Sequence, residues 1–183
     1  MKPQSNLSNS NNPLGIVPTG NLLAKFAIPA IISMLVNALY NIVDQIFIGQ
    51  GVGMLGNAAT NIAFPVTTIS TAAALLLGIG GASNYNLEMG AGNEHKASEI
   101  AGSALSTLVI TGILISAIVL LFLHPLLTFF GATDTVMPYA NDYVSIITIG
   151  LPFFVLSVGG NHLIRADRSP TYSMMCTLTG AII

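Results

Sequence analysis

Long apolar stretches separated by short polar segments dominate the chain. No Asp, Glu, Lys or Arg occurs in residues 26–43, 45–87, 100–133 or 143–164. A helix needs about 20 mostly apolar residues to cross the hydrocarbon core of a bilayer. The stretches also lack the short alternating segments that are typical of a membrane β-barrel. The pattern therefore predicts an all-α, polytopic membrane protein.

Turn-forming and charged residues mark the ends of five predicted spans. These cover about 25–48, 58–83, 100–123, 139–160 and 172–183, the last one truncated by the end of the sequence. Together they form a transmembrane region over 22–183, and a polar tail over 1–21, rich in Asn and Ser, is expected to be disordered. Because the chain stops inside an apolar run, we expect it to be an incomplete N-terminal piece of a larger protein.

Composition agrees with the membrane prediction and narrows the range of partners. Charged residues make up 7% of the chain and hydrophobic residues 52%, whereas soluble domains average about 25% charged residues. The net charge of −2 leaves no basic patch for nucleic acid. The lone Cys176 cannot form an internal disulfide, and we expect it to be a buried structural thiol.

The distribution of basic residues predicts the orientation of the chain. All Lys and Arg residues fall in the tail or in alternate loops, which the positive-inside rule assigns to the cytoplasm. We therefore expect a cytoplasmic N-terminus and a multi-pass protein of the bacterial plasma membrane. The basic residues are Lys2, Lys25, Lys96, Arg165 and Arg168.

Asp44 is the first candidate for chemistry, because a carboxylate in an apolar helix is costly unless it lines a cavity or a polar interface. Ser33, Asn37 and Tyr40 or Asn41 precede it at steps of three and four, so a helix places them on one face. Such a carboxyl group could carry H⁺ or coordinate Na⁺, and both alternatives stay open. The alternative role is an interfacial anchor at the end of a tilted span.

Further polar residues and prolines occur inside the first two spans. We predict a drug cavity lined by Asn37, Asn41, Thr60, Asn61 and Thr67. The alternative for the threonines is a hydrogen bond to the preceding turn of their own helix. Pro29 and Pro65 each remove a backbone hydrogen bond and are expected to bend their helices.

Other motifs do not indicate an enzyme. The glycine pairs at Gly78 and Gly90 lack the βαβ context of a nucleotide fingerprint, so helix packing and a tight turn are expected instead. The histidines form no catalytic or metal-binding cluster, and His162 is placed in a cytoplasmic loop. We therefore expect no catalytic residue, no cofactor, and no metal beyond Na⁺ at Asp44.

Four groups of motifs occur in order along the chain. They are Ala27-Ile-Pro29 with Tyr40-Asn-Ile-Val-Asp44-Gln-Ile-Phe-Ile-Gly49, Ala63-Phe-Pro65, Gly81-Ala-Ser83 with Met89-Gly-Ala-Gly-Asn93, and Arg165-Ala-Asp-Arg-Ser-Pro170. In this order they resemble the helix and loop signatures of multidrug and toxic-compound extrusion (MATE) transporters, and the chain looks most similar to the bacterial MepA-like branch. The resemblance covers nearly everything from Leu22 onward.

The resemblance implies an architecture and a role for the first helix. MATE transporters have about twelve helices in two six-helix lobes, so this chain would supply about five helices of the first lobe and would need the second lobe for transport. Asp44 would couple cation entry to drug export. Tyr40 would be the polar residue one turn before it, and Pro29 the helix-bending proline. Arg168 departs from the family pattern, which commonly has Gly there.

The function we predict is H⁺- or Na⁺-coupled efflux of amphipathic, drug-like organic cations, with membrane lipid as the surroundings. One alternative is a lipid-linked oligosaccharide flippase of the same superfamily, which tends to place basic residues in its cavity. No basic residue falls inside a predicted span, which favours the drug exporter. A second alternative is a truncated membrane fragment that does not transport.

Overall fold

The computed structural model describes residues 19–167 and 169–182, and the described residues contain α-helices and no strands. Most of the predicted polar tail and Arg168 thus lie outside the described residues. The helices of this part of the chain are α1 (Thr19–Gly51), α2 (Met54–Gly90), α3 (Glu94–Leu121), α4 (Leu123–Phe129), α5 (Met137–Ala166) and α6 (Pro170–Ile182). Helices α1, α2, α3 and α5 are long and apolar enough to cross a membrane. The predicted all-α membrane fold is confirmed.

The ends of several helices differ from the predicted spans, and α2 extends to Gly90, seven residues past its predicted end at residue 83. Helix α3 ends at Leu121, two residues before the predicted end at residue 123, and the short α4 follows it. Helix α5 continues to Ala166, six residues past the predicted end at residue 160. Hydrogen bonds that Asn161 and Arg165 form with Ser173 of α6 stabilise this extension, and hydropathy alone does not detect such contacts.

A tightly packed core of α2, α3 and α5 holds the molecule together. Small residues on α2 are almost completely buried, among them Ala59, Ala63 and Ala74. Small side chains let helix backbones approach closely, which is how membrane helices gain packing energy without a hydrophobic driving force. On α3, the buried Ser116 hydroxyl donates a hydrogen bond across to the Thr148 carbonyl of α5.

Glycines mark the closest contacts between these helices. A Cβ atom added to Gly78 of α2 would lie 2.6 Å from the Cα atom of Gly159 on α5. A Cβ atom on Gly112 of α3 would lie 2.7 Å from the Cα atom of Pro152, also on α5. The predicted packing role of Gly78 is confirmed, and its partner is a glycine on a helix more than 70 residues away.

The two charged loops lie at the same end of the bundle, as the positive-inside rule requires. Lys96 Nζ lies 2.6 Å from Glu88 Oε1 across the α2–α3 turn, where Gly92 has a φ angle of 79°. The Tyr85 hydroxyl, near the same end of α2, donates a 2.7 Å hydrogen bond to Asp167 Oδ1 just after α5. This contact joins the first charged loop to the second.

Helices α1 and α6 form a second pair beside this core. They pack mainly against each other, and fewer contacts connect them to α2 and α5. Most side chains of α1 are therefore exposed in this chain, including Leu39, Phe47 and Ile46. The gap between this pair and α5 forms the cavity that contains the candidate site.

Candidate functional site

A cavity of about 560 Å³ lies between α1, α5 and α6. Its walls are amphipathic, with Phe154, Val158 and Leu75 among the apolar residues. Ligand sites typically combine such walls with a few polar groups that fix orientation. The polar groups here come from one face of α1, from the last turns of α5 and from α6.

The α1 face contributes Ser33, Asn37 and Tyr40, three residues at successive turns of the helix that all line the cavity. Ser33 is buried, and its hydroxyl donates a 2.9 Å hydrogen bond to the carbonyl of Pro29. Asn37 and Tyr40 keep exposed side chains. The three-and-four spacing in the sequence thus translates into one polar stripe along the cavity wall.

Asp44 continues this stripe one turn beyond Tyr40 and is half-buried. Among the described residues, Tyr40 and Asp44 form no hydrogen bond with each other. Instead, Tyr143 of α5 lies within electrostatic range of both Asp44 and Tyr40. Sequence analysis missed Tyr143 because nothing in a single span indicates which helix faces Asp44.

Metal ligands do not cluster at Asp44. Over 19–167 and 169–182, no group of three His, Cys, Asp or Glu side chains could hold a metal ion. Whether H⁺ or Na⁺ is the coupling ion stays a prediction.

The other predicted cavity residues lie outside this cavity and bond within their own helices. The amide nitrogen of Asn41 donates to the Asn37 carbonyl at 2.8 Å, and that of Asn61 donates to the Asn57 carbonyl at 3.0 Å. Thr60 and Thr67 each donate from the hydroxyl to a carbonyl three residues earlier. These contacts are the hydrogen bonds to the preceding helical turn that were the alternative for the threonines. They also give the Asn61 amide a hydrogen-bond partner when no ligand is bound.

The two prolines lie inside continuous helices. Pro29 is in α1, four residues before the buried Ser33, and Pro65 is in the core-facing half of α2 next to the buried Val66. Because a proline lacks the amide hydrogen, the carbonyl four residues earlier loses its helical partner at each position. Helix α1 thus lacks one backbone hydrogen bond, a weak point that lies between the N-terminus of the helix and the cavity.

The predicted end of α5 is wrong. His162 and Arg165 belong to α5 and line the cavity, rather than lying in a cytoplasmic loop. A basic residue therefore does border the cavity, and the absence of basic residues from the predicted spans no longer favours the drug exporter. The Arg165 Nε atom donates a 3.1 Å hydrogen bond to the Ser173 hydroxyl, which in turn donates to Asn161 Oδ1 at 2.9 Å.

Cys176 also differs from its expected position. It was expected to be buried, but its side chain is exposed and lines the cavity from α6. The apolar character of the surrounding sequence predicted burial, although an apolar helix can equally border a cavity.

We expect a maleimide to modify Cys176 in the folded transporter, because the thiol is accessible from the cavity. The measurement is the fraction of the Cys176 peptide labelled by N-ethylmaleimide before and after denaturation, determined by mass spectrometry. Labelling within about tenfold of the denatured rate is expected for an accessible thiol. Labelling that occurs only after denaturation would contradict the cavity position, and Cys176→Ser supplies the background.

Comparison with known proteins places these features in a family context. A family model described as MatE matches residues 29–183. The chain is 32% identical to an FAD transporter of Shewanella oneidensis over 168 residues, which are 90% of this chain and 36% of that protein. It is 25% identical to the multidrug export protein MepA of Staphylococcus haemolyticus, covering 84% of this chain and 34% of that protein.

Solved structures agree with the family comparison. The MATE multidrug transporter DinF-BH superposes with a TM-score of 0.87 at 35% identity. The match covers 96% of this chain and 39% of that structure. The chain therefore spans little more than a third of the length of the proteins it resembles.

Proposed function

Since this chain belongs to the MatE family of multidrug and toxic-compound extrusion transporters, we propose that it forms the first lobe of a cation-coupled exporter of amphipathic small molecules. It acts in transport rather than as an enzyme. The chain spans 36% of the FAD transporter and 34% of MepA. We infer that transport requires a second lobe, so transport is assayed on the complete transporter.

The observation that carries the proposal is the polar stripe on α1. Ser33, Asn37 and Tyr40 line the cavity, and Asp44 lies one turn further along the same helix. A ligand shifts a conformational equilibrium only through different affinities for the two states. Binding of H⁺ or Na⁺ at Asp44 and binding of substrate in the cavity act on the same helix, so each can change the affinity for the other.

The direct test is efflux from a bilayer. Proteoliposomes that contain the complete transporter are loaded with a fluorescent amphipathic dye, and a H⁺ or Na⁺ gradient is imposed across the membrane. Efflux that depends on one of these gradients supports the proposal and identifies the coupling ion. Efflux independent of both gradients would contradict cation coupling.

Organic cations are the first candidate substrates, as the resemblance to drug exporters predicts and as the similarity to MepA supports. A second candidate is an anionic dinucleotide. The similarity to an FAD transporter over 90% of this chain supports it, and so do the basic side chains at one end of the cavity. Both candidates share an aromatic body that suits the apolar walls, and they differ in the charge that the cavity must accept.

We expect Pro29→Ala to reduce gradient-driven efflux about three- to tenfold, because alanine restores the helical hydrogen bond and stiffens α1 at its weak point. Substrate binding at equilibrium should change less than transport, since Pro29 does not line the cavity. Efflux rates and dye affinity are measured on the same preparation.

The matched control is Pro65→Ala, which makes the same chemical change in the tightly packed α2. If it slowed efflux as much as Pro29→Ala does, the effect would not be specific to the missing hydrogen bond in α1. Unchanged efflux in Pro29→Ala would contradict the role of α1 bending.

A further inference from the structure

The inner end of the cavity presents a basic side chain with unused donors. Arg165 lines the cavity from the last turn of α5 and is only partly exposed. Its Nε atom donates to Ser173, and over residues 19–167 and 169–182 no hydrogen bond or ion pair involves its two terminal nitrogen atoms. A guanidinium group offers five N–H donors in a rigid fork, so most of them are available to a ligand.

The contacts of Nε fix the direction of this side chain. Ser173 is completely buried and bonds both Arg165 and Asn161. The amide nitrogen of Asn161 donates in turn to the Ser157 carbonyl at 2.9 Å. This chain of hydrogen bonds connects α6 to α5 and limits the freedom of the Arg165 side chain, which lowers the entropic cost of binding a ligand.

Among the described residues, no carboxylate lines this cavity to neutralise Arg165. Asp167 is two residues away in sequence, but it accepts the hydrogen bond from the Tyr85 hydroxyl and lines a separate cavity together with Glu94. His162, the other basic side chain on this wall, lies near enough for electrostatic interaction with Arg165. The positive charge at this end of the cavity therefore comes from Arg165.

We propose that Arg165 forms an anion subsite, which binds a phosphate or carboxylate group of an amphipathic substrate while the apolar walls hold its ring system. This inference rests on the proposed role of the cavity as the substrate site. Arginine binds such groups with two parallel hydrogen bonds, and partial burial strengthens the interaction. His162 and the Asn161 side chain lie on the same wall and complete the polar end of the site.

Two flavins provide a matched pair of probes. Riboflavin and flavin mononucleotide share the same ring system and ribityl chain and differ by one phosphate group. Quenching of flavin fluorescence by the purified complete transporter gives the affinity for each. We expect the mononucleotide to bind about tenfold more tightly than riboflavin, as a charge-assisted bidentate contact predicts, and this preference should weaken as salt is added.

Arg165→Gln should remove the preference for the mononucleotide and leave riboflavin affinity within about twofold, because only the charged contact is lost. Ser173→Ala is the structural control, since it removes the contact that orients Nε but keeps the guanidinium charge. This variant should retain a reduced preference, because the charge remains while its orientation is lost. If Ser173→Ala lost the preference as fully as Arg165→Gln, Arg165 would act through the helix contact and the anion subsite would be wrong.

Two further results would overturn the inference: equal affinities for the two flavins in the wild type, or an unchanged preference in Arg165→Gln. Failure of wild type to bind either flavin would also overturn it. None of these results bears on cation coupling, which is measured by gradient-driven dye efflux and depends on Asp44. The subsite and the proposed function can therefore fail separately.

Discussion

Replacement of Asp44 by Asn is expected to reduce gradient-driven efflux at least about tenfold, since the amide can neither carry a proton nor provide a charged ligand to Na⁺. The change keeps the size of the side chain and its capacity for hydrogen bonds. Asp44 is half-buried at the end of the polar stripe, so the folded state should tolerate the neutral residue. The loss is therefore expected in coupling rather than in folding.

Two measurements separate these effects. Efflux under an imposed H⁺ or Na⁺ gradient reports coupling, and dye affinity at equilibrium reports the intact cavity. We expect Asp44→Asn to lose gradient-driven efflux and to retain its affinity for the dye. The matched control is Asp134→Asn in the exposed α4–α5 loop, on the same side of the membrane, which should transport normally. Full gradient-driven efflux in Asp44→Asn would exclude Asp44 as the coupling residue.

The long helices and the α1 stripe could be predicted because both depend on local sequence patterns. Apolar length determines which segments can cross a membrane, and helical spacing places Ser33, Asn37 and Tyr40 on one face. Family membership was predictable too, since its motifs keep their order along the chain. These features need no knowledge of which helices are neighbours.

The inner end of the cavity could not be predicted, because it depends on contacts between different helices. Arg165 and His162 follow a glycine pair and look like the start of a charged loop. They continue α5 because α6 returns beside them and its Ser173 satisfies both Asn161 and Arg165. That stabilisation comes from a helix further along the chain, so single-span hydropathy places the boundary too early.

The same limit applies to the predicted cavity residues of α2. Thr60, Asn61 and Thr67 are polar residues in an apolar helix, which is compatible with either a cavity or a local hydrogen bond. The structure gives each of them a carbonyl acceptor on its own helix. Only the packing of the helices shows that these three residues lie outside the cavity, although Leu75 further along α2 lines it.

The contrast between the two parts of the fold also has a mechanical consequence. Helices α2, α3 and α5 are joined through glycines and small buried residues, so they can move only as one body. Helices α1 and α6 contact this body less, and the candidate coupling residue belongs to α1. Movement driven at Asp44 would thus change the width of the cavity, provided that the core stays rigid.

Rigidity of that core should depend strongly on Gly78. Its replacement by Ala places a Cβ atom 2.6 Å from both the Cα atom and the carbonyl oxygen of Gly159, and backbone atoms cannot rotate away as a side chain can. Helices α2 and α5 must separate, and the loss of close packing is expected to cost about 1–3 kcal/mol. We expect a lower melting temperature for Gly78→Ala, measured by fluorescence-detected size-exclusion chromatography after heating.

Gly80→Ala is the control, because it makes the same substitution two residues later on α2, where nothing lies within 4 Å of the added Cβ atom. Alanine favours a helix over glycine by roughly 0.5–1 kcal/mol, so this variant should be as stable as wild type or slightly more stable. The two substitutions thus have opposite expected signs on one helix. If both substitutions stabilised the protein equally, α2 and α5 would not be in close contact at Gly78. The rigid core that should transmit movement from Asp44 would then lack its closest contact between helices.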